Sequence, residues 1–565
     1  MKKSLLSLVA LTLLTSAAPL AKAQEEAANA GQPVVVATFS GYAELKRDLG
    51  YLGTLSGNPE MAQGLEQLLM LFTQNQGLAG LDQKRPWGAA LSIGAEGGFP
   101  VLVFLPVDDL KKLLDALGAI VGAAVDAGDG VFEIKQGAMT LFIKQQGKWA
   151  YLAQQKSELE KLPADPLVLL GGIDKQYDLA VSANIQNLPQ ALRDQAADAL
   201  KAGMEMSLQQ NVDPDDEQSQ LQAQIARNQA EQLVASINQL DKVTLGFSID
   251  AENNHSFIDI GVTALPGSDL ARQLAESTVD AGSSKVAGFL LPDSVLSLHL
   301  NSAVSKSDRE QSEAALAGFR TQIMEEIDKS EELDDDQAKA KVKQLAGKAL
   351  DVLDKTLEKG QVNLGLAVVG EGPLTLVAGV LVADGPALEK VVKEFINLAA
   401  DDPTVPKPKL NAAEYKGVRF HTLSLPAPED EGSEWIKEYV GENIDIAVGF
   451  GADRIYLSIG KDGIDTLKQA IDRSATTPET ELPPMKLSLA LAPLMKLVAA
   501  KQGGGNPQTE MLVQQLKEGG KDHINVTVEP VDNGVRYRIE AEEGINKLLG
   551  AQLGGALRTR GAGGF

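Results

Sequence analysis

The chain has no cysteine in 565 residues. That excludes disulfides, thiolate metal sites, cysteine nucleophiles and a lipid anchor on cysteine. Aromatic residues make up only 4% of it. This is too few for a carbohydrate-binding platform or for the aromatic belts of a membrane protein. Basic residues number 52 against 77 acids, for a formal charge of −25. Such a surface repels nucleic acid and anionic lipid headgroups, so neither is expected as a partner.

Histidine is scarce as well. The four copies, at 255, 299, 421 and 523, are scattered, and none has H-E-x-x-H or other metal-ligand spacing. His299 and His421 fall in strand-like runs, where ordinary core histidines are expected. The sequence carries no G-x-S-x-G elbow, Walker loop or Rossmann fingerprint. One S-x-x-K match occurs, Ser458-Ile459-Gly460-Lys461. It ends a strand-like run instead of opening a helix, it lacks S-D-N and K-T-G companions, and Ala153 stands at the equivalent place in the other half. No catalytic, cofactor-binding or metal-ligating residue is therefore assigned, and no cofactor is expected.

Apolar sequence is plentiful, at 44% of residues, enough to bury a large core. The start, MKKSLLSLVALTLLTSAAPLAKAQ, has the grammar of a cleaved export signal. Lys2 and Lys3 precede a short apolar run at 5–14, and Ala21-Lys22-Ala23 fits a small-x-small cleavage site. Residues 1–23 are read as this signal and 24–33 as a flexible segment. Removing Lys2, Lys3 and Lys22 would take the formal charge from −25 to −28. No membrane span is expected after cleavage, and the expected location is the periplasm or the exterior.

The rest reads as one pattern written twice. Strand-like runs open each copy, VVVATFS at 34–40 and VLSLHL at 295–300. Each leads into a helix with one apolar face: Met61, Leu65, Leu68, Leu69 and Phe72, then Leu316, Phe319, Ile323 and Ile327. Glycine hairpins follow, turning at Gly94 to Gly98 and at Gly370-Glu371-Gly372-Pro373. GKWAYLAQQKSELEKL around Tyr151 matches DRIYLSIGKDGIDTLKQA around Tyr456. Closing hairpins turn at Glu252-Asn253-Asn254 and Asp532-Asn533-Gly534 between alternating strands.

These patterns predict an α+β protein of two tandem, duplicated domains, each an antiparallel sheet with helices packed on one face. The first repeat spans 34–280 and the second 286–546, joined through Asp280-Ala281-Gly282-Ser283-Ser284. Residues 547–565 read as a disordered Gly-rich tail ending in Phe565. Helical insertions are expected at 218–240 and 337–358. The first carries the stripe Leu221, Ile225, Leu233, Ile237 and Leu240, which suits packing on its own sheet, against the preceding helix as a hairpin, or in a short coiled coil with a partner. The insertions follow acidic runs at 213–217 and 331–336. Neither run has the order of a calcium loop, so helix-capping, solvated acids are expected. The proline-rich stretch 401–408 reads as a stiff loop.

The succession of strand, helix, glycine hairpin, helix and Tyr-Leu strand resembles uncharacterised families of exported bacterial proteins, a resemblance that implies no site residues. The expected function is non-enzymatic binding or scaffolding in the bacterial envelope or exterior, with another envelope protein as partner and the oligomeric state open. The alternatives are a carrier of an apolar ligand or lipid between sheet and helices and a hydrolase with an unrecognised site.

Overall fold

Alternating apolar residues and glycine turns make strands that join edge to edge into one twenty-stranded antiparallel sheet. The computed structural model describes residues 32–562, apart from 95–97, 138, 212–222, 224–225, 228–230, 232–233, 279–283, 331–335, 371, 399–405, 429–433, 478–481, 502–506 and 519–520. The segment 1–23 read as an export signal, the acidic runs (save Asp336), the linker before Ser284 and most of the 401–408 loop lie outside the described residues, as do Leu221, Ile225 and Leu233 of the helical stripe.

The first half opens with β1 (Pro33–Phe39), α1 (Tyr42–Leu55), α2 (Met61–Phe72), β2 (Trp87–Ser92), β3 (Val101–Pro106) and α3 (Leu110–Val121). A meander follows: β4 (Ala124–Asp126), β5 (Val131–Gln136), β6 (Met139–Gln146) and β7 (Trp149–Ala153). The half closes with β8 (Leu179–Asn184), α4 (Gln190–Asn211), β9 (Leu240–Asp250), β10 (His255–Ala264) and α5 (Asp269–Thr278).

The second half runs β11 (Ser294–Ala303), α6 (Lys306–Lys329), α7 (Asp336–Glu358), β12 (Gln361–Val369), β13 (Thr375–Leu381) and α8 (Gly385–Leu398). Next come β14 (Lys409–Tyr415), β15 (Val418–Pro426), α9 (Glu434–Tyr439), β16 (Asn443–Phe450), β17 (Arg454–Ile459) and α10 (Gly463–Thr476). It ends with β18 (Met485–Ala490), α11 (Leu491–Lys501), α12 (Pro507–Glu518), β19 (His523–Val531), β20 (Gly534–Ala541) and α13 (Glu543–Ala562).

Pairing gives the first half the order β4-β5-β6-β7-β3-β2-β1-β8-β9-β10. The second half has the order β14-β15-β16-β17-β13-β12-β11-β18-β19-β20. Strand for strand, these are the same. The halves meet where β10 pairs with β20, from Ser256 opposite Ala541 to Thr263 opposite Gly534. The expectation of two separate sheets is thus corrected: both closing hairpins present a free edge, and those edges satisfy each other.

Helices pack on both faces, not on one. Leu113 and Leu114 of α3 join Leu105, Leu152 and Ile143 on one face. Leu467 and Ala470 of α10 join Phe289, Tyr456 and Val377 on the other. The Phe289 ring is fully buried and stacks on Tyr456, with 6.4 Å between centroids. Gly365 and Gly379 leave room for it, since a Cβ on either would lie within 3 Å of the ring. In the first half Phe104 covers Gly88 in the same way.

Three further expectations change. The stretch 337–358 is no insertion: α6 and α7 sit between β11 and β12 as the shorter α1 and α2 sit between β1 and β2. The helical residues described within 223–237 likewise precede β9 as α11 and α12 precede β19, and Leu240 begins a strand. The Gly-rich end is helical through Ala562. Glycine costs about 1 kcal/mol in a helix, but here it permits close packing. A Cβ on Gly550 would lie 2.3 Å from the Leu52 carbonyl of α1. The apolar stripe of α2 is also only partly buried, because Phe72 at its end faces solvent.

The halves exchange contacts reciprocally. Helix α5 of the first packs on β20, β19 and β11, while α13 of the second packs on α1 and α2. Among the described residues, no helix is long and apolar enough to cross a membrane.

Candidate functional site: an open apolar sheet face

Register places one apolar residue per strand in a continuous row across the sheet. From Leu152 on β7 it runs through Val103, Ala89, Ala37, Val181, Leu245 and Ile260. It crosses to Tyr537 and continues through Val528, Met485, Leu300, Leu364 and Val380 to Ile455. Two residues along, a parallel row holds Phe39, Leu179, Phe247, Ile258, Ile539, Val526, Leu487, Leu298, Leu366, Ala378 and Leu457. Neither row contains a charged residue.

The opposite face reads Asp259, Arg538, Thr527, Lys486 and His299 over the middle strands. A half-covered sheet normally turns its apolar side inward and its polar side to water. Here the middle of the apolar side is itself in water. Leu179, Val181, Leu245, Ile258, Ile260, Tyr537 and Ile539 are exposed by between 37% and 51%, on four adjoining strands. Four strands span roughly 14 Å. Scattered exposed leucines are ordinary, but a contiguous patch marks a binding surface.

Among the described residues, helices flank this floor without covering it. At one end of its strands α13 crosses the apolar face, and Ser256 donates to Asn546 Oδ1 at 2.6 Å. Toward one side of the sheet lies α3, over Leu105 and Leu152. Toward the other lie α7 and α8, where Val352 and Leu388 pack on Val448, Phe450 and Ile455.

Beneath the floor, Asp259 locks the two halves together. It is fully buried and accepts two bonds from Arg538 across the β10–β20 pair, both at 2.8 Å. The Tyr177 hydroxyl donates a third at 3.1 Å. Burial, then the Asp259 charge, raises the Tyr177 pKa, while the bond to Asp259 raises that of Arg538. The Arg538 guanidinium also stacks on Phe257, 3.9 Å from its centroid.

The histidines remain apart. His255 lies 3.5 Å from Asp250, and His523 lies 3.3 Å from Glu542. His421 is in β15, accepting from the Asn411 amide at Nδ1 and meeting Glu389 at 3.2 Å. Burial lowers the His421 pKa despite that carboxylate. His299, in β11, meets Ser284 Oγ at 2.8 Å. This is the contact a nucleophile and its base would make. However, Ser284 is 9% exposed and His299 1%, and the serine already accepts from Asn363, so the pair fastens residue 284 to the sheet. Ser458 of the S-x-x-K match is buried on β17, against the start of α10. Among the described residues, no cluster of three or more His, Asp or Glu is arranged to hold a metal ion.

No family model, curated protein or solved structure matches this chain.

Proposed function

We propose that this chain is an exported, non-enzymatic binding protein built from two copies of one module, and that its ligand is aliphatic. The repeated strand order, shared turn positions such as Asn254 and Asn533 at positive φ, and the reciprocal helices favour duplication. The opening segment, with its lysines and apolar run, favours export.

The open apolar face carries the functional reading. Covering its seven residues, each 37% to 51% exposed, would be worth roughly 4.5–9 kcal/mol, taking about 1.5–3 kcal/mol for full burial of each side chain. The occupant is a flexible hydrocarbon chain. Protein interfaces concentrate Trp, Tyr and Arg anchors, whereas the exposed residues of this floor are aliphatic apart from Tyr537, with a half-buried Phe247 between Leu179 and Ile258. Helices rising on the same face keep a flat protein surface away and admit a slender chain.

The test is fluorescence of N-phenyl-1-naphthylamine, an uncharged apolar probe, with lipid-stripped protein. Wild type binds it. Ile260→Asp and Leu245→Asp each weaken binding at least tenfold while leaving the circular dichroism spectrum intact, because both sites are surface positions. Val168→Asp, at an apolar position 70% exposed outside the face, leaves binding unchanged. Equal binding by all four proteins would overturn the reading.

A further inference from the structure

On the face opposite the apolar rows, a hollow of about 310 Å³ opens where the start of α10 meets β15, β16 and β17. Thr422, Ser424, Asp445, Ala447 and Ser458 wall it from the strands, and residues 462–465 from the helix. Register explains the space. Ser458 stands opposite Ala447, which stands opposite Thr422. Next along, Ser424 stands opposite Asp445, and the Gly460 amide donates to the Asp445 carbonyl at 2.8 Å, so a glycine faces Asp445. These small side chains leave the first turn of α10 little to rest on, whereas Leu467 and Ala470 further along are fully buried. In the first half the equivalent place is filled. Phe142 and Ala153 pair at the positions of Ala447 and Ser458, and Phe142 packs on the core around Tyr151.

The hollow offers donors. Ser458 is 1% exposed and lines it. A Cβ on Gly463 would lie 2.3 Å from Ser458 Oγ, so the hydroxyl is aimed at the helix start. That hydroxyl has no hydrogen-bond partner among the described residues, a costly state for a buried polar group. The Asp465 and Thr466 amides return to the Asp462 carbonyl, while those of Gly463 and Ile464 have no acceptor among the described residues. Asp462, left-handed at φ 56°, makes no side-chain cap. Free amides at a helix N-terminus attract an anion.

Acceptors stand across from them. Asp465 already pairs with Lys468 at 2.9 Å, and Asp445 Oδ1 accepts from Ser424 at 2.6 Å. Asp445 Oδ2 and the Asp462 carboxylate have no partner among the described residues. A lone anion would meet these acids, and a lone cation would meet the amides. A small molecule carrying both charges satisfies both sets. Asp445 lies diagonal to Ser458 across the β16–β17 pair, roughly 7 Å away, a gap such a molecule bridges. The volume is at the small end of the roughly 300–1,000 Å³ of ligand sites. We propose that this hollow binds a free α-amino acid with a short side chain, its carboxylate on the Ser458 hydroxyl and the α10 amides, its ammonium on Asp445 and Asp462.

Isothermal titration calorimetry of the full chain with L-alanine, propionate and ethylamine tests this, since the last two are alanine without its ammonium and without its carboxylate. L-Alanine is expected to bind, and each fragment roughly tenfold more weakly or worse, having lost hydrogen bonds to a charged group. Ser458→Ala should weaken L-alanine about tenfold on the same grounds. Asp445→Asn should weaken L-alanine and ethylamine but spare propionate. Ala447→Phe, which restores the bulk of Phe142, should abolish binding. Fragments that bind as well as L-alanine, no saturable heat from L-alanine, or an unchanged Ser458→Ala would overturn the inference. L-Alanine is expected not to displace N-phenyl-1-naphthylamine; displacement would put it on the apolar floor and equally overturn this site.

Discussion

Replacing Asp259 by alanine cuts the strongest polar tie across the β10–β20 seam. The carboxylate is fully buried and the Arg538 side chain 25% exposed. Removing one member of a buried pair costs about 3–5 kcal/mol. The low end, about 3 kcal/mol, applies to Asp259→Ala, because Arg538 can turn its remaining donors toward water. Arg538→Met should cost more, since it strands a fully buried charge that has no route to solvent and keeps only the Tyr177 hydroxyl and, at 3.9 Å, Arg536. Asp259→Leu combined with Arg538→Met should recover most of the loss, as paired apolar replacements do. Urea unfolding, followed by circular dichroism and by fluorescence of Trp87 and Trp149 in the first half and Trp435 in the second, gives each value. The exchanged helices and continuous sheet predict that both signals shift together. A loss below about 1 kcal/mol, a costlier Asp259 than Arg538 deletion, or separate transitions for the two halves would refute this account of the seam.

Two other outcomes follow from the packing. The Glu542 hydrogen bond raises the His523 pKa against the opposing pull of burial, and Asp522 adds to it. A raised folded-state pKa gives stability that is full below the ordinary histidine value and is lost as pH rises through the raised one. His523→Gln should therefore cost about 1 kcal/mol more at pH 6 than at pH 8.5 in parallel urea titrations; equal costs would contradict the pairing. Phe289→Ala should lower stability by about 3–5 kcal/mol through the cavity it leaves, and Gly379→Ala by about 1–3 kcal/mol through overlap with the intact ring. Thermal unfolding reads both, and a neutral Gly379→Ala would mean that the ring does not rest there.

Local features were legible in the chain. Alternation and glycine turns marked the hairpins around Gly94, Gly370, Asn253 and Asn533, and Tyr151 and Tyr456 marked matching strands. The union of the sheets was not, because β10 and β20 are 279 residues apart at the Asp259–Arg538 contact and nothing local couples them. One signal was present: Asp259 lies between Ile258 and Ile260, and Arg538 between Tyr537 and Ile539, opposite charges at matching places in the two closing hairpins. The open face was missed for a related reason. Alternation shows that a strand has an apolar side, but only its neighbours decide whether that side is covered. The tail was misread because glycine lowers helix propensity, while its benefit, close approach to Leu52, exists only in the folded state.

The central claim is that the uncovered rows of Ile258, Ile260, Tyr537 and Ile539 seat a hydrocarbon chain. Native mass spectrometry of the protein purified without detergent from the cells that make it tests this most directly. The account predicts an added mass of a few hundred daltons that extraction identifies as an aliphatic amphiphile, and that Ile260→Asp removes. Wild-type protein that flies only at its own mass, and takes up no added amphiphile, would contradict it.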